Sequence, residues 1–263
     1  MIDTHCHLTF PQLADRLDDV LAGAVEAGVD RMITVGTTPT DVAAARGIAA
    51  DRANVWCAAG VHPHYAERVA VDDLPAMFEA AAADGRCAAL GEMGIDYHYD
   101  DPPPAVQHAL FAAQLGWIAD HATDLPIIIH CRKAVDDTLA IIRDSALAGE
   151  RFVFHCHTEP PDECRKVLDA GCMISFTGIV TYHNAPEVRA SARLVPDERI
   201  MVETDAPYLS PEPHRKVRPN EPKFVPATAA FLAELRGRAE AQFVAQCDRN
   251  AERFFRLGTG DAS

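Results

Sequence analysis

Several features are missing or scarce in this 263-residue sequence, and each absence argues against a class of function. No apolar run approaches the ~20 residues that a membrane-spanning helix needs, so we expect no membrane partner. Only 24 residues are Lys or Arg, against 39 Asp or Glu, which gives a formal net charge of −15. Because binding to phosphate backbones needs clustered positive charge, this balance argues against a general nucleic-acid coat protein and leaves room only for a local basic patch.

A dinucleotide fingerprint and an export signal are missing too. No G-x-G-x-x-G follows the first predicted strand, which argues against a dinucleotide-binding sheet. The first ten residues are too short and too polar for a signal peptide, so we expect a cytoplasmic protein. The eight cysteines are scattered through the chain, and in that compartment we interpret them as reduced, buried thiols.

The segments that are present alternate between strand-like and helix-like patterns. Thr38 before Pro39 is a typical helix start, while Gly28 and Gly171 follow predicted helix ends. Eight strands, each followed by a helix, predict an α/β fold, a (β/α)₈ TIM barrel, as a single domain over 1–257 with a tail at 258–263. The predicted strands cover 2–5, 31–35, 55–61, 87–91, 126–131, 152–156, 172–176 and 200–204, and the predicted helices cover 11–27, 39–51, 74–83, 104–122, 134–148, 162–170, 186–194 and material within 224–257.

The first eight residues, which have the pattern of a short strand, carry two histidines, His5 and His7. Alternate side chains of a strand share a face, so the two imidazoles point the same way and Cys6 points away. Two such imidazoles are half of a site for a divalent metal. Two ordinary histidines near an N-terminus explain the motif more simply, so the metal interpretation depends on further ligands.

Those further ligands occur where the other predicted strands end, which is where TIM-barrel active sites lie. Glu203 and Asp205 share a face and compete for one position. We prefer Asp205 as the ligand because it is nearer the mouth, with Glu203 as support. The strand-end candidates are His62 and His64 on or after strand 3, Glu92 after strand 4, His130 on strand 5, His155 on strand 6 and Asp205 on strand 8.

Seven motifs make the sequence resemble the TatD family of metal-dependent hydrolases, whose known members include DNases. The similarity covers almost the whole chain, from residue 2 to about 255. The family belongs with the amidohydrolase-type barrels, which agrees with the predicted fold. The motifs are D-T-H-C-H-L, G-V-H-P-H, G-E-M-G-I-D-Y, P-I-I-I-H-C-R, F-H-C, E-T-D-A-P-Y-L-S-P and R-P-N-E-P, in this order.

This resemblance implies two divalent ions, Mg²⁺, Mn²⁺ or Zn²⁺, that activate a water for attack on a phosphodiester. The expected activity is that of an exonuclease-like deoxyribonuclease acting on DNA or a small phosphodiester, with Asp205 and Glu92 as catalytic residues. Asp205 orients the water and accepts its proton. The implied metal ligands are His5, His7 and Asp205 for one ion, His130 and His155 for the second, and Glu92 bridging the two.

Substrate contacts are predicted at the rim of the same site. His62 and His64 are expected to face the substrate, and Arg132 and Arg218 to hold phosphate oxygens. His64 is equally well explained as an exposed loop histidine. A solvated loop is also the alternative for the basic residues at 215 and 216 beside Arg218.

One motif departs from the family pattern. The sixth strand ends H-C-H-T-E-P, with His157, Thr158 and Glu159, where the family typically has H-C-F-S-G. A bulky imidazole and an acid beside the site put phosphate binding in doubt, and by alternation His157 shares a face with His155. Two alternatives therefore stay open: hydrolysis of a small ester, amide or lactone on the same metal site, or a catalytically weak metal-binding scaffold. The oligomeric state is also open, with a monomer preferred.

Overall fold

Eight parallel strands in sequential order form the sheet of this molecule. The structure is a computed structural model that describes residues 1–99, 101–121 and 123–257. The predicted tail at 258–263 lies outside the described residues. The strands are β1 (Ile2–Cys6), β2 (Arg31–Gly36), β3 (Val55–Ala59), β4 (Cys87–Asp96), β5 (Ile127–Arg132), β6 (Phe152–Phe154), β7 (Met173–Phe176) and β8 (Ile200–Val202).

Helices follow the strands and form the outer layer, so the predicted (β/α)₈ TIM barrel is confirmed. The predicted helix 11–27 was wrong in one respect, because the chain breaks its helical conformation at Arg16, where φ is −141°. The helices are α1 (Pro11–Ala14), α2 (Leu17–Glu26), α3 (Pro39–Asp51), α4 (Leu74–Ala82), α5 (Pro104–Asp120), α6 (Val135–Asp144), α7 (Pro161–Asp169), α8 (Pro186–Leu194), α9 (Val225–Leu235) and α10 (Glu240–Phe255).

The barrel closes between its first and last strands at the C-terminal end. The backbone N–H of Asp205 donates to the carbonyl of His5 at 2.9 Å, and the N–H of His7 donates to the carbonyl of Ala206 at 2.7 Å. These bonds continue the sheet beyond the end of β8. They place the ends of β1 and β8 side by side, which brings together residues about 200 positions apart in the sequence.

Two apolar layers hold the barrel. One lies between strands and helices, and the other fills the barrel interior, where Ile33, Ile128 and Met201 pack with Phe255 of α10. Because α10 contributes to the interior layer, its last turns close the N-terminal end of the barrel. The opposite, C-terminal end carries the polar side chains. Within the described part of the chain, no helix is long and apolar enough to cross a membrane.

Candidate metal centre

His5 of β1 and His7, which directly follows β1, face one another at the C-terminal mouth. The Nε2 atoms of His5 and His7 are 3.4 Å apart, and both side chains are buried. The Oδ1 atom of Asp205, which follows β8, lies 3.3 Å from His7 Nε2 and 3.9 Å from His5 Nε2. The end of β1 and the residues after β8 thus form one group of converging nitrogen and oxygen atoms.

Glu92 of β4 lies between this group and a second one. Its Oε2 atom is 3.4 Å from His5 Nε2 and 3.9 Å from His7 Nε2. Its Oε1 atom is 2.7 Å from His130 Nδ1 and 2.7 Å from His155 Nε2. One carboxylate therefore presents one oxygen to each pair of histidines, which is the geometry a bridging ligand needs.

The position of Glu92 follows from the two glycines of the G-E-M-G motif. Gly91 and Gly94 have φ of +120° and +145°, values that residues with a Cβ rarely adopt. A Cβ on either glycine would clash with a backbone carbonyl oxygen of β5. The register between β4 and β5 shifts between Leu90 and Met93. The glycines thus allow an irregular strand to lie close to β5 with Glu92 buried at the mouth.

Three of the histidines have their second nitrogen held by an oxygen behind the site. His7 Nδ1 lies 3.1 Å from the carbonyl of Val35. His130 Nε2 lies 2.9 Å from Asp96 Oδ2. His155 Nδ1 is 3.3 Å from Glu203 Oε1, an electrostatic contact rather than an aligned hydrogen bond. Histidines that ligate metals almost always have their other nitrogen held in this way, because it fixes the ring and directs one lone pair inward.

The electrostatics of the group favour charged carboxylates among imidazoles. Burial raises the pKa of Glu92, but the charges of His155 and His62 and a hydrogen bond from His130 outweigh it, so this pKa lies well below its usual range. Burial also raises the pKa of Asp205, and its hydrogen bond with His7 reverses the shift. Both carboxylates are therefore ionised near neutral pH and available as ligands.

The donor set fits divalent cations. Three groups of three side chains have ligand atoms within 4.8 Å of one another, and these side chains are buried or only partly exposed. Imidazole nitrogen with carboxylate oxygen suits Zn²⁺ and Mn²⁺, among other ions. The groups are His5, His155 and Asp205; His5, His7 and Glu92; and His62, Glu92 and His130.

The predicted substrate residues divide between the interior of the site and its rim. His62 lies inside, with Nε2 at 3.1 Å from His130 Nδ1 and 3.5 Å from Glu92 Oε1. His64 lies at the rim, with its side chain 35% exposed and Nε2 at 3.1 Å from Asp96 Oδ2. Arg132 ends β5 with its guanidinium 5.8 Å from the centre of the Tyr99 ring. The structure does not bring Arg218 into this group, and its side chain is exposed in the long loop after β8.

The segment after His155 that departs from the family motif contributes no residue to the candidate ligand groups. Cys156 has φ of +47°, so the chain turns after His155 and the strand alternation that we used for His157 does not apply. The ring of His157 is buried edge-on against Phe176, and it belongs to none of the three groups. Glu159 accepts a hydrogen bond from the backbone N–H of Lys133 at 2.7 Å and so ties the loop after β6 to the loop after β5.

Sequence reasoning missed Asp96, which contacts both His130 and His64. The G-E-M-G-I-D-Y motif contained the signal, since Asp96 lies an even number of residues after Glu92. The predicted strand ended at residue 91, whereas β4 continues to Asp96. Glu203 takes the supporting place that we predicted for it. It contacts His155 from behind, and Ser175 Oγ donates to its other oxygen at 2.6 Å.

Comparison with known proteins gives a consistent result. The family model described as TatD related DNase matches residues 2–256. An uncharacterized metal-dependent hydrolase of Escherichia coli K12, YcfH, is 37% identical over 98% of this chain and 96% of its own length. The 3'-5' ssDNA/RNA exonuclease TatD of Erwinia billingiae is 34% identical over 98% of this chain and 99% of its own. Among solved structures, the TatD homologue YjjV of Escherichia coli K12 has a TM-score of 0.91 at 27% identity and covers 98% of both chains.

Proposed function

The chain belongs to the TatD-related DNase family of metal-dependent hydrolases, and from this premise we propose that it is a two-metal exonuclease that degrades single-stranded nucleic acid from its 3′ end. The relatives named as 3'-5' ssDNA/RNA exonucleases support the direction and the substrate. The proposed ligands are His5, His7 and Asp205 for one ion, His130 and His155 for the other, and Glu92 between them.

One observation carries the proposal: the two oxygens of Glu92 face different histidine pairs. A carboxylate that only stabilised the barrel would need one cationic partner. Glu92 instead lies within 3.4 Å of three imidazoles, which belong to β1, to β5 and to the residue after β6. The fixed second nitrogens of His7 and His130 add to this argument because they direct the free lone pairs inward.

Individual residues of the site have separate proposed roles in the hydrolysis. A pair of divalent cations, when bound, activates water near neutral pH and offsets the negative charge that develops on phosphoryl oxygens. Asp205 is the carboxylate nearest the solvent, with a side chain 15% exposed against 3% for Glu92. Because its pKa is lowered, Asp205 is ionised and can accept a proton from the attacking water. His64, partly exposed at the rim, is the proposed hydrogen-bond donor to a phosphate or leaving oxygen.

Aromatic side chains on either side of the mouth support a single-stranded substrate. Among the described residues, Tyr99 and Tyr208 are the large aromatic side chains with substantial exposure, at 54% and 48%. Tyr99 contacts His64 edge-on at 5.3 Å between ring centres. Tyr208 contacts Phe10, which stacks on His7 at 4.8 Å. Exposed rings that lead into the site offer stacking surfaces for unpaired bases.

The decisive experiment compares substrates on one metal-loaded preparation. The purified chain is incubated with Mg²⁺, Mn²⁺ or Zn²⁺ and a 5′-labelled single-stranded oligonucleotide, and in parallel with a panel of small esters, amides and lactones. We expect a ladder of products shortened from the 3′ end. Hydrolysis of an ester or lactone without any nucleic-acid cleavage would contradict the proposal and favour a carbonyl hydrolase.

A matched pair of variants separates an enzyme from a scaffold. Glu92→Gln keeps the size of the side chain but removes the charge between the two histidine pairs, so we expect cleavage to fall by at least ~100-fold. Glu26→Gln, at the exposed end of α2, makes the same change far from the mouth and should leave cleavage unchanged. Equal turnover in both variants would show that Glu92 has no part in catalysis.

A further inference from the structure

A charged cavity lies at the opposite end of the barrel from the candidate metal centre. Its volume is about 310 Å³. Pro126 directly precedes β5, Met173 begins β7, and Arg199 directly precedes β8, so the cavity is bounded by the N-terminal ends of these strands. The last turn of α10 contributes Phe254 to its wall. The packed barrel interior separates this cavity from the mouth.

Four arginines line this cavity although the chain as a whole is strongly acidic. Arg151 lies in the turn before β6 and Arg199 in the turn before β8. Arg253 belongs to the last turn of α10, and Arg256 directly follows that helix. Positive charge from three separate parts of the chain therefore converges on one concave surface.

The hydrogen bonds of these arginines orient them without neutralising their charge. Arg151, Arg199 and Arg253 donate to uncharged backbone carbonyls, and no ion pair with a carboxylate is formed by these three within 1–99, 101–121 and 123–257. The Nε atom of Arg151 is buried and has no hydrogen-bond partner among the same residues. The carbonyls belong to Thr123 and Leu125 for Arg151 at 2.6 and 2.7 Å, to Leu168 for Arg199 at 2.7 Å, and to Glu198 for Arg253 at 2.7 Å.

Acidic side chains are present too, but at the outer edge. Asp124, Glu150 and Glu198 line the cavity, and all three are exposed. The carboxylate of Asp124 is 85% exposed and lies 3.7 Å from the guanidinium of Arg256. Arg151 and Arg199 are only partly exposed. The deeper part of the cavity is therefore cationic, whereas the acidic groups can turn towards solvent.

We propose that this cavity binds the phosphate group of a small phosphorylated ligand, with Arg151 and Arg199 as its principal contacts. Guanidinium groups match phosphate oxygens in charge and in geometry. A cavity of this volume accommodates an ion or small molecule rather than a polymer. The partly buried ring of Phe254 adds a flat apolar wall on which the organic part of a phosphomonoester can lie. The site is independent of the proposed nuclease activity because it shares no residue with the mouth.

The test is a binding titration of the full chain in the presence of a chelator, so that no cation at the mouth can bind phosphate. Inorganic phosphate and deoxyadenosine monophosphate are titrated separately by calorimetry. We expect saturable binding with about one site per chain. Tighter binding of the nucleotide identifies an organic monoester as the ligand, and equal binding identifies phosphate itself; both results support a phosphate site.

Variants of the residues that line the cavity test whether the ligand binds there. The double variant Arg253→Gln with Arg256→Gln changes two exposed residues, and Arg151→Gln removes a principal contact; each is expected to weaken binding at least tenfold. Arg249→Gln is the matched control, because Arg249 lies on α10 but bonds to Gln246 and does not line the cavity. Thermal melting checks that each variant is folded. Absence of saturable binding in the unaltered chain, or equal affinity in the cavity variants and the control, overturns the proposal.

Discussion

The buried carboxylate of Glu203 determines how a single imidazole is presented to the candidate metal centre. It contacts Nδ1 of His155 and accepts a hydrogen bond from the backbone N–H of Cys156 at 2.6 Å. Thr4 and Ser175 hold its other oxygen. Glu203 therefore orients His155 without being placed to contact a substrate.

We predict that Glu203→Gln weakens the affinity for the second cation by roughly 10–100-fold, because the charge behind His155 is lost while the side chain keeps its size. The measurement is a competition titration with a metal-binding dye. Excess Mn²⁺ is expected to restore most of kcat, since the ligand itself is still present. If kcat stays low at saturating Mn²⁺ while the affinity for metal is unchanged, Glu203 acts in another way.

His157 provides a pH-dependent prediction. Burial lowers its pKa to about 4, and no charged partner compensates. Unfolded histidine has a pKa near 6.5, so the stabilising effect of keeping His157 neutral is complete above about pH 6.5 and is lost as the pH falls towards 4. Between pH 7.5 and pH 5, the free energy of unfolding of the unaltered chain should fall by about 2 kcal/mol more than that of His157→Phe.

Urea unfolding in the presence of a chelator measures this difference without metal linkage. His121→Phe is the control, since its side chain is exposed directly after α5. An identical pH response in the unaltered chain and in His157→Phe would contradict the account of His157 as a buried neutral residue.

At the residue level, strand alternation and the positions of strand ends predicted most of the side chains that meet at the candidate site. The side chains of His5, Glu92, His130, His155 and Asp205 converge, as their positions at strand ends indicated. The position of His157 was wrong because the left-handed backbone at Cys156 ends the alternation. The inward position of His62 depends on the loop after β3, whose path no local pattern encodes.

Among the structural elements, the loops after β4 and β8 border the mouth that holds the candidate metal centre. Each carries one exposed tyrosine, and each tyrosine contacts the centre through one intervening aromatic ring, His64 or Phe10. Two loops from well-separated strands therefore form opposite sides of the mouth. We infer that they act together on a flexible single strand rather than on a rigid duplex.

We predict that Tyr208→Leu raises KM for a single-stranded oligonucleotide roughly tenfold, because stacking contributes ~1–3 kcal/mol per base, while kcat changes little. Tyr208→Phe keeps the ring and should behave like the unaltered chain. Steady-state cleavage of substrates with normal and with abasic 3′ nucleotides provides the test. On the abasic substrate all three proteins should be alike, and a defect of Tyr208→Leu there would argue against stacking.

Periodicity located nearly every element but not all of their ends. The helices α3 and α8 begin and end where predicted, since each has Pro at its first position and the Thr38 side chain caps the start of α3. The break between α1 and α2 escaped prediction. Arg16 at this break forms an ion pair at 2.8 Å with Glu221, which is 205 residues away, and local sequence patterns do not encode such a contact.

For the whole molecule, the candidate metal centre joins residues of β1, β4 and β5 with residues following β6 and β8. A pair of cations held by these residues would link five parts of the barrel. Metal binding should therefore stabilise the folded chain as any ligand specific for the native state does. The sequence alone indicated the barrel fold and the likeness to the TatD family. The assignment of residues 1–257 to a single domain stays a prediction.

We predict that saturating Mn²⁺ raises the melting temperature of the metal-free chain by roughly 5–10 °C, as expected for ~2.7 kcal/mol of linkage in a domain of this size. Differential scanning calorimetry with and without a chelator measures the shift. Glu92→Gln should show a much smaller shift, and Glu26→Gln the full one. A melting temperature that does not respond to any divalent ion would argue against a metal centre.

The most direct measurement is crystallography of the Mn²⁺-loaded chain with anomalous difference maps recorded at the manganese edge. The account predicts two peaks at the mouth, one against His5, His7 and Asp205 and one against His130 and His155, with one oxygen of Glu92 on each. No peak at the mouth under saturating Mn²⁺, or peaks whose ligands do not include Glu92, would contradict it.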